Sequence, residues 1–192
     1  WYLGECYFQE KKMELAIVEF KYVLKLGKFT NEITESTVRK KLVAIYREFN
    51  QLEEAQKELI LVSNMEPDNY EILFQIGEIF YLRNYSENAI AYFQKTLRLN
   101  PQHSGSHYYI GMIFARSGKN NEAMSELSKA IQYDPQNYKA HLYLGLVQRN
   151  LGAFDSASRE FILATKDPAM KQRALLENGK CFVERGDLNG AI

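Results

Sequence analysis

Histidine is the side chain best suited to hold a metal ion or to move a proton near neutral pH. The sequence contains three of them, His103, His107 and His141. His103 and His107 are four residues apart, which would suit two metal ligands on one helix face, but His103 falls in a turn and no thiol or acidic ligand set stands nearby. The sequence therefore predicts no metal site, and helix packing is the favoured interpretation of His107 and His141.

Other patterns that would indicate catalysis are absent from the sequence. It has no glycine-rich phosphate loop, no nucleophile elbow and no Cys-x-x-Cys motif. Asn84-Tyr85-Ser86 fits a glycosylation sequon, which has meaning only in a secreted eukaryotic chain. We therefore expect no enzymatic activity, no catalytic residues and no cofactor.

The two cysteines, Cys6 and Cys181, occupy the same position of a repeat that is described below, five repeats apart. Packed helices stand roughly 8–10 Å apart, so this separation amounts to several tens of Å. A disulfide requires Cα atoms within about 7 Å. We expect two unpaired cysteines that act as small buried hydrophobic residues.

The net charge and the mean hydropathy of the sequence argue against two kinds of partner, nucleic acids and membranes. The 24 basic residues balance the 24 acidic ones, whereas nucleic-acid platforms usually need a net basic face. Mean hydropathy is −0.38, and no apolar run approaches the roughly 18 residues of a membrane span. We expect no nucleic-acid partner and no membrane insertion within this sequence.

A period of 34 residues runs through the sequence and is shared by prolines, glycines and alanines. Three residue types do not share one period by chance, and this period is typical of an array of helical repeats. The residues are Pro67, Pro101 and Pro135; Gly77, Gly111, Gly145 and Gly179; and Ala55, Ala89, Ala123, Ala157 and Ala191.

Within each repeat, two sets of apolar and small residues recur at the spacing of one helix face, which predicts two helices. Helices are expected near 70–83 and 87–99, and again near 104–117 and 121–133. The periodic glycines of the first helices and the periodic alanines of the second helices are small enough to let the two helices approach closely, so Ala89 and Ala123 should be buried. Residues tolerant of a left-handed conformation end the first helices, and asparagines are placed to cap the next ones. The helix ends are Asn50, Asn84, Gly118, Gly152 and Gly186, and the caps are Asn69 and Asn137.

This combination resembles the tetratricopeptide repeat family. The resemblance extends over the whole chain and implies an all-α fold, an α-α superhelix in which antiparallel helix pairs form a right-handed solenoid. It is carried by the pairs Ile76-Gly77 and Leu144-Gly145, by Phe80 and Phe114, and by the periodic alanines and prolines.

The period divides the chain into one array of repeats, the first and last of which are incomplete. Because both ends cut through a repeat, we expect the array to continue in a longer protein. Five additional residues near Gly27–Glu35 either lengthen helices or form a loop, and Pro168 comes one residue early, which predicts an altered turn. The repeats are 1-30, 36-69, 70-103, 104-137, 138-171 and 172-192.

In the family that the chain resembles, first helices line a concave groove that binds partners. Here the middle of this groove is apolar and aromatic, which indicates either a functional groove or ordinary packing. The predicted partner-binding residues are Lys40, Phe74, Glu78, Tyr81, Tyr108, Met112, Leu142, Leu146 and Arg149.

The predicted function is a non-enzymatic scaffold that binds a partner peptide or helix within a larger assembly. The set that grips a chaperone's terminal carboxylate in this family is represented here by Lys40 alone, which disfavours a chaperone co-factor. Two alternatives remain: the recruiting or regulatory arm of an enzyme whose catalytic domain lies outside this sequence, and homo-oligomeric assembly through the terminal repeats.

Overall fold

The structure is a computed structural model that describes residues 1–186. It forms two compact units, of which the first is Trp1–Tyr92 and the second begins at Phe93. Helices and no strands are found within the described residues. The first unit contains α1 (Tyr2–Gln9), α2 (Met13–Leu26), α3 (Glu35–Glu48), α4 (Leu52–Met65), α5 (Tyr70–Leu82) and the first half of α6 (Ser86–Leu99). The second contains the rest of α6, α7 (Ser104–Arg116), α8 (Asn120–Tyr133), α9 (Tyr138–Asn150), α10 (Phe154–Ala164) and α11 (Pro168–Arg185).

The predicted helix ends are confirmed to within one or two residues. Asn50 and Asn84 have φ of 55° and 62°, and Gly118 and Gly152 have φ of 74° and 77°. Lys11 occupies the corresponding position after the first helix of the first repeat and has φ of 57°. The sequence did not predict this conformation, because lysine rarely adopts the left-handed region.

Asparagine caps begin α5 and α9, as predicted. The Asn69 side-chain oxygen accepts hydrogen bonds from the backbone N–H groups of Glu71 and Ile72. The Asn137 oxygen accepts one from Ala140. These bonds satisfy N–H groups that have no partner inside the helix.

The cores lie between the helices of each pair, where small residues of one helix meet large residues of the other. Ala89 and Ala123 are fully buried, as predicted. In the second unit, a Cβ built on Gly145 would stand 2.7 Å from the Phe161 ring, so glycine is required for the observed approach. Gly4 faces Phe20 in the same way in the first unit.

The two irregularities of the period have different structural outcomes. The additional residues near Gly27–Glu35 form a loop: α2 ends at Leu26, Gly27 caps it with φ of 62°, and α3 begins at Glu35. Early Pro168 shortens α10 to 11 residues and is the first residue of α11, which has 18. Asp167 caps this long helix. The predicted position of Ala191 lies outside the described residues.

Candidate functional site

The first helices of the first unit form an open cleft between α3 and α5. Its volume is about 560 Å³. Val43 and Ile72 supply buried apolar surface, each 3% exposed, and Ala44 is exposed. Polar side chains from both helices complete the lining, so the cleft offers apolar, charged and amide groups together. These are Lys40, Arg47, Asn69, Glu71 and Gln75.

Lys40, a predicted partner-binding residue, lines this cleft but is held in an ion pair. Its Nζ donates to both carboxylate oxygens of Glu66 at 2.7 Å. The Ser36 hydroxyl and the Asn69 amide also donate to Glu66. Lys40, followed by Ser36 and Asn69, lowers the pKa of Glu66 to about 2. The charge of Lys40 is therefore largely neutralised within the protein.

The other predicted residues of the first unit lie on α5. Glu78 Oε2 accepts a hydrogen bond from Arg47 Nη2 of α3 at 3.2 Å. Phe74 and Tyr81 are half-buried on the same helix. Arg47 itself was not among the predicted site residues, although its position in the repeat is the same as that of Tyr81.

In the second unit, three predicted groove residues are buried. Tyr108 is 8% exposed, Met112 is 3% exposed and Leu142 is fully buried. Leu142 belongs to the core around Phe161 and Ala174. Of the two interpretations of this apolar run, the burial of these three side chains favours ordinary packing, because neighbouring helices enclose them.

Leu146 and Arg149 are the predicted residues of the second unit that remain partly exposed. Leu146 packs on the core around Leu142. Arg149 donates to the buried Glu177 of α11, and its Nε lies 3.7 Å from Glu184. Burial opposes the charge of Glu177, but Lys180 and Arg149 outweigh it and hold the pKa of Glu177 below its ordinary value.

Several exposed apolar side chains of the second unit lie together on α11, where a cleft of about 370 Å³ is found. Leu175, Leu176 and Val183 are 54%, 60% and 54% exposed. Leu176 and Val183 occupy the same repeat positions as the buried Leu142 and the paired Arg149. The alignment pointed to these positions, but residue type alone did not distinguish an open helix face from an enclosed one.

His107 and His141 form a repeated ion-pair arrangement that the sequence did not predict. His107 Nδ1 lies 2.7 Å from Glu126 and its Nε2 lies 3.1 Å from the Pro101 carbonyl oxygen. His141 is placed likewise, 2.6 Å from Glu160 and 3.2 Å from the Pro135 carbonyl. In both histidines, therefore, each ring nitrogen lies within hydrogen-bond distance of an oxygen acceptor. The signal in the sequence was a glutamate 19 residues after each histidine.

We expect the His141 pair to make stability fall as pH rises. The Glu160 carboxylate, against the opposing effects of burial and Lys166, raises the pKa of His141 above its ordinary value. Its contribution is complete below the pKa of the unfolded chain, about 6.5, and is lost as pH rises through the folded pKa. Melting temperatures of the wild type and Glu160→Gln between about pH 5 and pH 8 measure this. A smaller fall in the variant is expected, and parallel curves would contradict the assignment.

The expectation for the two cysteines is met only in part. Cys6 and Cys181 are both free; Cys181 is buried, but Cys6 is exposed, so the expectation of a buried thiol is wrong for Cys6. No group of three or more potential metal-binding side chains occurs in residues 1–186. Among the helices of those residues, none has the length and apolar character needed to cross a membrane.

Family models match two segments of the sequence. Residues 70–103 match a model described as tetratricopeptide repeat, and residues 111–152 match one described as TPR repeat. No curated protein sequence matches the chain significantly.

Solved structures with the same fold span most of the chain. PilF of Pseudomonas aeruginosa aligns with a TM-score of 0.78 and 17% identity over 99% of this chain and 84% of PilF. MamA of Desulfovibrio magneticus RS-1 aligns with a TM-score of 0.72 and 20% identity, over 81% of this chain and 88% of MamA. YrrB is described as a TPR protein with an unusual peptide-binding site. It aligns with a TM-score of 0.67 and 16% identity, over 90% of this chain and 87% of YrrB. The two matched segments are similar to tetratricopeptide repeats, and these neighbours show that the chain has the all-α superhelical fold of tetratricopeptide repeat proteins.

Proposed function

We propose that this protein is a non-enzymatic scaffold that binds an extended segment of a partner protein along its first helices. The observation that carries the proposal is the open cleft between α3 and α5. Support comes from the fold, since YrrB, which shares it, is described as having a peptide-binding site. Repeat arrays of this type expose extended surfaces suited to such segments.

The cleft has the groups that an extended peptide needs. The Gln75 amide carries a donor and an acceptor, which match one peptide unit of a bound backbone. Arg47 makes one hydrogen bond to Glu78 at 3.2 Å, and its guanidinium has further N–H donors for an acidic side chain. Val43 and Ile72 offer an apolar floor. The favoured ligand is therefore a peptide with an acidic residue next to a small apolar one.

The other predicted residues take different roles in this proposal. Phe74, Glu78 and Tyr81 extend the binding face along α5. Leu146 and Arg149 supply partly exposed side chains in the second unit. The buried residues support α7 and α9 from within rather than contact a partner; these are Tyr108, Met112 and Leu142.

Filling the cleft tests the proposal. Ala44 is exposed on α3, so Ala44→Arg should leave the fold intact while its side chain occupies the space between α3 and α5. Peptides selected by phage display on the wild-type chain should lose at least about tenfold in affinity for this variant. The matched control is Ala91→Arg, at an exposed alanine of α6.

Fluorescence polarisation with the selected peptides measures the affinities, and circular dichroism confirms that both variants fold. Selection of peptides that bind Ala44→Arg as tightly as the wild type would place binding away from the cleft. A selection that enriches no peptide would contradict the proposal.

A further inference from the structure

One face of α2 exposes four apolar side chains in a row, which we call the α2 stripe. They are Leu15, Val18, Tyr22 and Leu26, exposed by 48%, 61%, 56% and 50%. Their spacing of three, four and four residues places them on a single helix face. The opposite face of α2 holds the buried Ala16 and Phe20 and is already used for packing.

The first half of the stripe is unusual within the array itself. At the repeat position of Leu15, the later repeats have Glu54, Asn88, Glu122 and Ser156. At the position of Val18 they have Lys57, Ala91, Ser125 and Arg159. Polar or small residues therefore suffice for a second helix of this fold, and packing within the chain does not require Leu15 and Val18. Contiguous exposed apolar surface of a few hundred Å² is typical of interaction sites.

The stripe is nearly symmetric about its middle, because a leucine lies at each end and the spacings are almost equal. A two-fold axis near residue 20 brings Leu15 opposite Leu26 of a second copy, and Val18 opposite Tyr22. Glu14 and Lys25 lie on the same flank of α2, so the same axis brings Glu14 opposite Lys25. Both are exposed, and neither forms an ion pair within residues 1–186. We propose that α2 pairs with α2 of a second copy in antiparallel orientation.

A cleft next to the stripe fits this arrangement. It has a volume of about 280 Å³ and is lined by Leu15, Phe49 and residues 11–14. Phe49 is 43% exposed at the end of α3. In the antiparallel pair, Leu26 of the second copy stands opposite Leu15 and enters this cleft. Because the arrangement is symmetric, each copy supplies one such side chain and one such cleft.

The size of the contact sets the expected strength. One helix face is smaller than the roughly 800 Å² per partner of a standard interface, so the dimer should be weak. We expect a dissociation constant on the order of 10–100 µM. The exposed charges at the rim should make association stronger at low salt.

Sedimentation equilibrium on the purified chain is the first measurement. Over a concentration series across that range, the average mass should rise from the monomer value of 22.3 kDa towards twice that value. Val18→Lys should remain monomeric, because the stripe would then bury an unpaired charge. Its control is Ala91→Lys, the same repeat position on α6, which should associate like the wild type.

Charge reversal tests the antiparallel orientation. Glu14→Lys and Lys25→Glu should each weaken self-association at least about threefold, since each sets like charges opposite one another. An equimolar mixture of the two should recover wild-type association, because both cross-pairs are then of opposite charge. The matched controls are Glu87→Lys and Arg98→Glu, in the first and last turns of α6, which should have no effect.

Each alternative gives a different result. A wild type that stays at the monomer mass throughout would overturn the proposal and indicate that another partner covers the stripe. Dimerisation that is unaffected by Val18→Lys would place the interface elsewhere. Dimerisation that is lost with Val18→Lys, but not recovered in the mixture of charge variants, would exclude the antiparallel pairing.

Discussion

Gly145→Val should lower the free energy of unfolding by about 3 kcal/mol, because it overpacks the α9–α10 contact. Even a Cβ at this position would stand 2.7 Å, 2.9 Å and 3.1 Å from three atoms of the Phe161 ring. Phe161 is fully buried and lies in the core with Leu142 and Ala157. The ring therefore has no free space to enter, and the helices would have to separate.

The second repeat suggests how this loss can be compensated. It has Val43 where Gly145 stands, and Leu59 where Phe161 stands, with the same spacing of 16 residues. Both Val43 and Leu59 are buried, so this pair fills the corresponding space in the first unit. Phe161→Leu alone should cost about 1–2 kcal/mol. Combined with Gly145→Val, it should restore about 2 kcal/mol relative to the sum of the single changes.

Urea unfolding of the wild type, both single variants and the double variant measures this coupling. Gly152→Val offers a contrast, since a Cβ there meets nothing within 4 Å and any cost arises from its φ of 77°. Phe161→Leu should not rescue Gly152→Val. Strict additivity of Gly145→Val and Phe161→Leu would show that the two side chains do not compete for one space.

Met112→Glu should destabilise the protein by about 3–5 kcal/mol at neutral pH, because it leaves a charge buried without a partner. Met112 is 3% exposed on α7, so a carboxylate introduced there loses its hydration. Burial also raises the pKa of such a carboxyl group, and protonation removes part of the cost. The loss relative to wild type should therefore be smaller near pH 4 than near pH 7.

Chemical unfolding at the two pH values measures the difference. Met112→Leu is the control for shape and should cost less than about 1.5 kcal/mol. Met65→Glu is the control for charge, since Met65 is 41% exposed, and it should have little effect. A stable Met112→Glu with unchanged melting would restore the hypothesis that Met112 faces a solvated groove.

Most helix boundaries were predictable from the sequence, because they depend on the backbone conformation and capping preferences of single residues. Gly118 and Asn84 end helices because they tolerate positive φ, and Asn69 begins one because its side chain accepts backbone N–H groups. Lys11 was missed because its left-handed backbone is imposed by the turn between α1 and α2 rather than favoured by lysine itself. The repeat period alone would have located that turn.

The ion pairs needed the tertiary structure. His141 and Glu160 are separated by 19 residues and lie on different helices, so their contact depends on how α9 packs against α10. Lys40 was predicted from the sequence as a partner-binding residue, but its ion-pair partner Glu66 is 26 residues away at the end of α4. Pairing at such distances follows from helix packing and is not encoded by either residue type.

The sequence by itself determined the helical repeats, their turns and the small residues at close helix contacts, since these depend on local conformation and volume. Only the tertiary structure decided which apolar side chains stay exposed. Met112 and Leu176 both lie on first helices at positions expected to face a groove, yet one is 3% exposed and the other 60%. The difference arises because exposure depends on the neighbouring helices that cover each position, and a periodic pattern repeats residue positions without repeating their neighbours.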